Sequence, residues 1–385
     1  MSGESEKRRI RELCDITSSR RIKRSDYRTK GIPFYRGKEI IERNSGAQKV
    51  STEIFLDPEY FQELKSKYGA PAAGDLLLTS VGTLGVPYIV KPGDQFYFKD
   101  ANLTWFRNIS GLNVEFLYYW LLAPEGRAQL SRCVIGSSQS AYTIAALKEM
   151  EIPLPPLETQ KKIAGILSAY DDLIENNLRR IRILEEMARA LYREWFVYFR
   201  FPGHEKAKFV DSSMGRIPEG WEVKKVGEVC DWQYGKSLKS SDRTEGPFPV
   251  YGSSGVVGWH NEALVPGPKI IVGRKGNVGS VFYESKDFYP IDTVFFVSSA
   301  ALPLEYLFFD FQSKNFINND AAVPGLNREQ ARSLPLLVPD ARVLEQFRQI
   351  VKETWRTGNL LKAENKNLTE ARQMLLPQLI GGRLV

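Results

Sequence analysis

Apolar residues recur at alternating steps of four and three through Ile163, Leu167, Tyr170, Ile174, Asn177, Ile181, Leu184, Ala188, Leu191 and Trp195. That spacing holds one stripe on one helix face, the seam of a coiled coil, and predicts a long helix from about Glu158 to Tyr198. At ~1.5 Å per residue it would extend about 60 Å, beyond the width of an ordinary domain. A less regular stripe, Phe347, Val351, Leu361, Asn365, Leu368 and Leu375, predicts a second helix from about Ala341 to Leu376, stopped by Pro377. Each stripe holds one asparagine, Asn177 and Asn365. Asparagine at a packed seam position costs stability and fixes register, although an exposed Asn on an ordinary helix is the alternative. Two helices of similar length, each with one sticky face, are most simply satisfied by packing on one another. That arrangement would put a globular domain at either end of a rigid rod.

Outside these stripes the period changes. Short β-rich runs such as LLLTSV, IIVGR and TVFFVS are separated by Gly, Pro and Asn and followed by one or two helices, the signature of a mixed α/β domain. The pattern occurs twice. VEFLYYWL (Val114 to Leu121) returns as LEYLFFDF (Leu304 to Phe311), 190 positions later. Upstream, RELCDI (Arg11 to Ile16) resembles GEVCDW (Gly227 to Trp232), and IPFY (Ile32 to Tyr35) resembles FPVY (Phe248 to Tyr251), both 216 apart. LLLTSVGTLG (Leu76 to Gly85) matches IIVGRKGNVG (Ile270 to Gly279) at 194, and NLTWF (Asn102 to Phe106) meets DTVFF (Asp292 to Phe296) at 190. IAALKEMEIPL (Ile144 to Leu154) meets LNREQARSLPL (Leu326 to Leu336) at 182. Order is preserved throughout, which marks a duplication. The fall from 216 to 194 leaves about 22 extra residues in the first copy, where IFLDPEYFQELKSKYG predicts an inserted amphipathic helix. The expected fold class is therefore α+β, with two duplicated mixed α/β domains separated by two long helices packed together as a coiled coil. The boundaries read as 1–155 and 201–338 for the domains, and 156–200 and 339–385 for the helices.

Composition agrees with this division. A chain of 385 residues exceeds what one core usually supports, and 43% hydrophobic with 12% aromatic content supplies two. The net charge of +7 is unevenly spread, with 14 Lys/Arg against 7 Asp/Glu in the first 50 residues. Within RRIKRSDYRTK, Arg20, Arg21, Lys23, Arg24, Arg28 and Lys30 face a single acid, Asp26. Such a cluster points to a phosphate backbone as partner, with a solvated loop as the alternative. The three cysteines, Cys14, Cys133 and Cys230, are too few and scattered for a disulfide framework or zinc site, and fit a reducing compartment. MSGESEKRRI lacks an apolar signal core and no run approaches the ~18 apolar residues of a membrane span, so a cytoplasmic protein with no membrane partner is expected.

Catalytic machinery is hard to find. His204 and His260 have no second ligand at metal spacing, so no metal site is expected. WQYGKS ends like a phosphate loop, but Cys230 stands where its first glycine is required, and GRKGNVG is not a GxGxxG. Glu63 and Lys65 could imitate a nuclease pair, yet Asp57 lies on the same predicted helix and the second repeat has no counterpart. No catalytic residue is assigned. Glycines after an apolar strand serve tight turns, and equally let a backbone approach a phosphate. Arg274, Lys275 and Asn277 are types that pair with phosphates or base edges, and Lys236 and Lys239 are further DNA-contact candidates; the matched first loop offers Ser80 and Thr83 and is neutral. If both loops touch DNA, they read different sequences.

The stretch IPLPPLETQKKIAGILSAYDDLIENNLRRIRILEEMARALYREWF (Ile152 to Phe196) closely resembles the central conserved region of the specificity subunits of type I restriction-modification enzymes. MLLPQLIGGRLV, from Met374, resembles their usual end, while VPDARVLEQF departs from the more usual PPLxEQ entry to the second helix. The resemblance covers the whole chain. It implies a non-catalytic reader of double-stranded DNA, each domain being a target recognition domain for one half of a bipartite site. The helices would pack as an antiparallel coiled coil, form the spacer and dock methyltransferase subunits; a motor-nuclease subunit is an optional further partner. S-adenosylmethionine and ATP would sit on those partners only, with no cofactor here. Two rival classes are a freestanding DNA-modifying enzyme, decided by a methylation assay on the lone chain, and a structural coiled-coil adaptor, decided by gel shift at moderate salt.

Overall fold

The computed structural model describes residues 6–45, 50–136, 140–316 and 325–383; residues 1–5 of MSGESEKRRI and the last two of MLLPQLIGGRLV lie outside them. The chain forms two units, Met1–Leu178 with Lys362–Val385, and Arg179–Leu361.

In the first unit the strands are β1 (Lys7–Arg9), β2 (Asp15–Thr17), β3 (Ile32–Tyr35), β4 (Phe55–Leu56), β5 (Leu76–Thr79), β6 (Pro87–Ile89), β7 (Tyr97–Phe98), β8 (Leu103–Arg107), β9 (Val134–Ile135), β10 (Ala141–Tyr142) and β11 (Glu151–Pro153). Its helices are α1 (Gly37–Asn44), α2 (Pro58–Tyr68), α3 (Val114–Leu122), α4 (Pro124–Arg132), α5 (Ile144–Lys148) and the first part of α6 (Leu157–Tyr192). An antiparallel sheet of order β2-β8-β5-β6 packs against a smaller one of order β4-β3-β7. The run LLLT is buried throughout because both faces of β5 are covered, as a continuous apolar strand requires. Side chains alternate across it: Leu76 and Leu78 join the aromatic helix α3, while Leu77 joins Phe98 and Trp105 on the small-sheet side.

The second unit repeats this plan. It holds β12 (Phe209–Ser212), β13 (Gly215–Pro218), β14 (Glu222–Lys225), β15 (Asp231–Tyr234), β16 (Phe248–Gly252), β17 (Gly255–His260), β18 (Lys269–Gly273), β19 (Val281–Glu284), β20 (Tyr289–Pro290), β21 (Val294–Ser298) and β22 (Pro335–Val338). Between and after them lie α7 (Val226–Val229), α8 (Leu304–Ser313), α9 (Arg328–Ser333) and the start of α10 (Ala341–Ile380). The sheets, β15-β21-β18-β19 and β17-β16-β20, have the same strand order as those of the first unit. In both, the strand before the sheet pairs antiparallel with the one before the long helix, β1 with β11 and β14 with β22. The inserted helix is α2, capped by Asp57, whose carboxylate accepts from Glu59 N at 2.9 Å.

The two aromatic helices are where the long helices dock. In the first unit Phe116, Leu117 and Trp120 of α3 share a core with Ile163 and Leu167 of α6 and with Leu379 and Ile380 of α10. Gln160 is 1% exposed; its Oε1 accepts from Asn113 N at 2.8 Å, and Asn113 in turn caps α3. Three residues before the first seam residue, where α6 has Gln160 ahead of Ile163, α10 has Leu344 ahead of Phe347. Asp340 caps it instead, accepting from Arg342 N at 2.9 Å, which is the structural content of the departing VPDARVLEQF motif. In the second unit Tyr192, Phe196, Tyr306, Phe309 and Phe347 form an aromatic cluster, with Phe196 4.8 Å from Tyr306 and 5.0 Å from Phe347. A π turn, Arg193–Val197, follows α6 and lets neighbouring Trp195 and Phe196 both point inward. Burial pushes the Tyr192 phenol and the Asp310 carboxyl up, and Lys314 Nζ lies 3.0 Å from Asp310.

α6 and α10 pack on one another in both units. Their seam in the first contains Asn177, 4% exposed, whose Nδ2 donates to Asn365 Oδ1 at 3.0 Å; Asn365 Nδ2 donates to Ile174 O at 3.3 Å. Asp171 accepts from Tyr119 at 2.7 Å and pairs with Arg372. Ile163, Leu167 and Ile181 are buried, Tyr170, Ile174, Leu184, Leu191 and Leu368 half-buried, and Leu361 5% exposed, as the stripes predict. One boundary differs: α10 runs through Pro377 to Ile380. Burial of Leu379 and Ile380 in the first unit's core offsets the hydrogen bond a proline removes.

The asparagine pair gives a direct test. Asn365→Leu strands the Asn177 amide in an apolar seam and is expected to cost about 1–3 kcal/mol in urea unfolding. Asn177→Leu with Asn365→Leu should recover most of that loss. A double variant no more stable than the single one would mean that the pair does not carry the seam.

Candidate nucleic-acid interface

The loop after the central strand is held by the same backbone hydrogen bonds in both units. In the first, Ser80 N donates to Asn102 O (2.8 Å), Gly85 N to Thr79 O (2.8 Å) and Tyr142 N to Ser80 O (3.1 Å). In the second, Arg274 N donates to Thr293 O (2.8 Å), Gly279 N to Gly273 O (2.9 Å) and Leu326 N to Arg274 O (2.9 Å). An isolated bridge joins Val81 to Ala141, and its counterpart joins Lys275 to Gly325. Gly82 and Gly276 have φ of 80° and 77°, and Gly85 and Gly279 have 74° and 78°, a left-handed conformation that favours glycine at both places. These bonds align Tyr142 with Leu326, two positions away from the sequence match of Ile144 with Leu326. Cap residues agree, since Thr143 caps α5 and Asn327 caps α9.

On this common frame the side chains differ. Ser80 is 2% exposed and its hydroxyl lies 2.7 Å from that of Thr104, so it supports the loop and does not reach solvent; Thr83 is exposed. At the positions of Ser80, Val81 and Thr83 the second unit has Arg274, Lys275 and Asn277. Lys275 and Asn277 are exposed, while Arg274 is half-buried and donates to Asp292 O at 3.2 Å. Ser253, at the turn between β16 and β17, ties in through Asn277 N at 3.3 Å and Ser280 Oγ at 2.6 Å. Lys236 N donates to Pro290 O (3.0 Å), which brings that segment to the same face, and Lys239 precedes a short 3-10 turn; both are exposed. Tyr234 and Arg328 also belong to this face and escaped the sequence reading. Their only signals were an aromatic residue ahead of Gly235 and a basic residue after the Asn327 cap.

The basic loop of the first unit is assembled differently. Ile22, 6% exposed, pins it into a small core with Phe34, Leu56, Tyr97 and, from α2, Phe61 and Leu64. Arg28 exchanges backbone hydrogen bonds with Phe55 at 2.8 and 2.9 Å, Arg20 N donates to the Tyr97 hydroxyl at 3.0 Å, and the Arg20 guanidinium lies 5.4 Å from the Tyr68 ring of α2. The insertion is thus the platform of the basic cluster. Arg20, Arg21, Lys23, Arg24, Arg28 and Lys30 are all exposed.

The residues weighed for chemistry have structural partners. Asp57 is the α2 cap, and Glu63 takes Lys67 at 2.7 Å. His260 is 9% exposed and its Nδ1 accepts from Thr244 N at 3.1 Å. Cys14 and Cys230 occupy matching positions, and burial pushes both thiols up to about 12. Among the described residues no cluster of His, Cys, Asp and Glu could hold a metal ion, and no helix is long and apolar enough to cross a membrane.

Comparison with known proteins adds an independent finding. The profile of the family described as type I restriction modification DNA specificity domain matches residues 2–186 and 218–368. The type I restriction enzyme MjaIX specificity subunit of Methanocaldococcus jannaschii is 35% identical over 167 residues, which span 43% of this chain and 37% of that protein. The match thus covers well under two thirds of that relative's length. The HindI specificity subunit of Haemophilus influenzae is 22% identical over 357 residues, 70% of this chain and 77% of that one. Among solved structures, the S subunit of a type I restriction-modification system from M. genitalium has the same fold, with a TM-score of 0.59 at 19% identity over 97% of this chain and 95% of that chain.

Proposed function

The chain belongs to the family of type I restriction modification DNA specificity domains, and from that premise we infer that it is the DNA-recognition subunit of a type I restriction-modification complex, itself without a catalytic centre. Residues 1–155 and 201–338 act as target recognition domains, each reading one half of a bipartite duplex site. The helical segments 156–200 and 339–385 set the spacer and dock methyltransferase subunits, with a motor-nuclease subunit as a further partner. S-adenosylmethionine and ATP bind on those partners. The observation that carries this reading is the shared loop frame with unlike exposed side chains, Thr83 in the first unit against Lys275 and Asn277 in the second, with Arg274 standing where the first unit buries Ser80. One geometry presented twice with different polar groups is what a reader of two different half-sites requires.

The basic loop serves position and not sequence, since lysines and arginines spread over one exposed surface meet phosphates of any sequence. Neutralising Arg20, Arg21, Lys23 and Arg24 is expected to weaken binding to all duplexes alike and to flatten the salt dependence by about one unit of slope per lost contact. A changed half-site with an unchanged slope, in binding titrations over a salt series, would contradict this.

The ruler role is tested by length. α6 and α10 contain 36 and 40 residues. Inserting one heptad after Leu178 and one before Lys362 keeps Asn177 opposite Asn365 and keeps the seam in phase. Each helix gains about 10 Å at ~1.5 Å per residue, equal to about three base pairs at ~3.4 Å each. The methylated motif of the assembled variant should carry a spacer longer by that amount. Added twist of roughly 100° at ~10.5 pairs per turn would by itself lower affinity, so only methylation at the original spacing counts against the role.

A further inference from the structure

Three segments of the second unit converge on one aromatic ring. Tyr234, at the end of β15, is 47% exposed. The Arg274 guanidinium lies 5.0 Å from its centroid and 5.8 Å from that of Phe295, and the Arg328 guanidinium, from the first residue of α9, lies 5.2 Å from it. Two cations over one ring repel each other. Among the described residues little offsets them: Arg274 donates to the Asp292 carbonyl, while the Asp292 carboxylate lies 3.7 Å from Lys275. Arg328 has Glu329 3.5 Å from its Nε, outside hydrogen-bond geometry, and that acid is 69% exposed. The cluster is a concentrated positive site whose planar groups are already oriented.

The two arginines are not equivalent. Arg274 is tied down by its carbonyl acceptor and covered by two rings, whereas the Arg328 side chain is 39% exposed. Stacking fixes the plane of a guanidinium, so fewer rotamers are lost when its donor edge meets a matching acceptor pair. A phosphate contact needs no fixed plane. A bidentate contact to guanine O6 and N7 does. The loop frame also supplies an internal comparison, because the first-unit residues at the positions of Tyr234, Arg274 and Arg328 are Ser18, Ser80 and Ile144. There the basic residues lie in the loop built on α2.

We propose that Arg328 is a specificity-determining residue that reads a guanine edge in the half-site of the second unit, with Tyr234 and Arg274 as its positioning residues. This rests on the DNA-recognition reading above and adds which side chain reads which base. The test uses the full chain co-purified with its methyltransferase subunit. Bound duplexes are selected from a random pool and sequenced, and affinity is measured over a salt series.

For the unaltered protein a bipartite motif is expected, with guanine preferred at a defined position of one half. Arg328→Gln should lower that preference roughly 5- to 150-fold, tending towards adenine, which glutamine pairs with. Arg328→Lys keeps the charge but loses the fork and the stack, so the preference should weaken while the salt slope stays. Tyr234→Leu should weaken it in the same way. The other half-site must be unchanged in all three, which shows that the variants are folded. Full retention of the motif by Arg328→Lys, or a uniform loss of affinity with a flatter slope in Arg328→Gln, overturns the proposal and leaves Arg328 as a phosphate contact. If the unaltered complex enriches no motif at all, the DNA-recognition reading itself fails.

Discussion

Burial of one apolar seam on each long helix is the constraint from which the remaining structure follows. A helix of 36 or 40 residues with a continuous sticky stripe is not stable alone in water, and its stripe must be covered along its whole length. The chain covers it from two sides. α6 and α10 cover each other, and the aromatic helices α3 and α8 cover the ends. At roughly 1.5–3 kcal/mol for each fully buried large apolar side chain, residues such as Leu167, Phe116, Tyr306 and Phe347 outweigh the loss at the polar pair Asn177 and Asn365. That pair instead makes one register better than its neighbours. A shift by one heptad would separate the two amides, setting Asn177 opposite Gly358 or Arg372 and Asn365 opposite Tyr170 or Leu184.

Once the helices are fixed, the loops after β5 and β18 are fixed with them. α3 buries Leu76 and Leu78 of β5, α8 lies over Ile270 and Val272 of β18, and the loops leave directly from those strands. Their backbone bonds are independent of side-chain identity, so the frame tolerates replacement of Ser80 by arginine at the matching place. This separation lets two copies of one fold carry different chemistry. The first copy went further and gained α2, which gives the basic loop a core of its own.

Much of this was legible in sequence because it depends on period. The seam of α6 was readable residue by residue, since a one-sided stripe must alternate steps of three and four, and the repeated aromatic helices were readable because bulky buried residues resist substitution. What escaped depends on tertiary placement. Ser80 looks like a surface polar residue, but its hydroxyl is used inside against Thr104. Pro377 looks like a stop, yet Leu379 and Ile380 beyond it are held by the first unit's core. Tyr234 and Arg328 lie far apart in the chain, and no local pattern places a guanidinium over that ring. The two-residue offset between α5 and α9 has the same origin: apolar residues matched equally well in two frames, and hydrogen bonds decided between them.

On the proposed function, two copies of one frame read DNA separately, each packed on α6 and α10. The most direct measurement is the methylated motif made by the assembled enzyme after residues 1–150 are exchanged for the matching domain of a relative, with Leu379 and Ile380 kept to pack against it. One half of the motif should change, and the other half, with the spacer, should stay as it was. A change in both halves together would mean that recognition is a joint property of the two units, and the claim would fail.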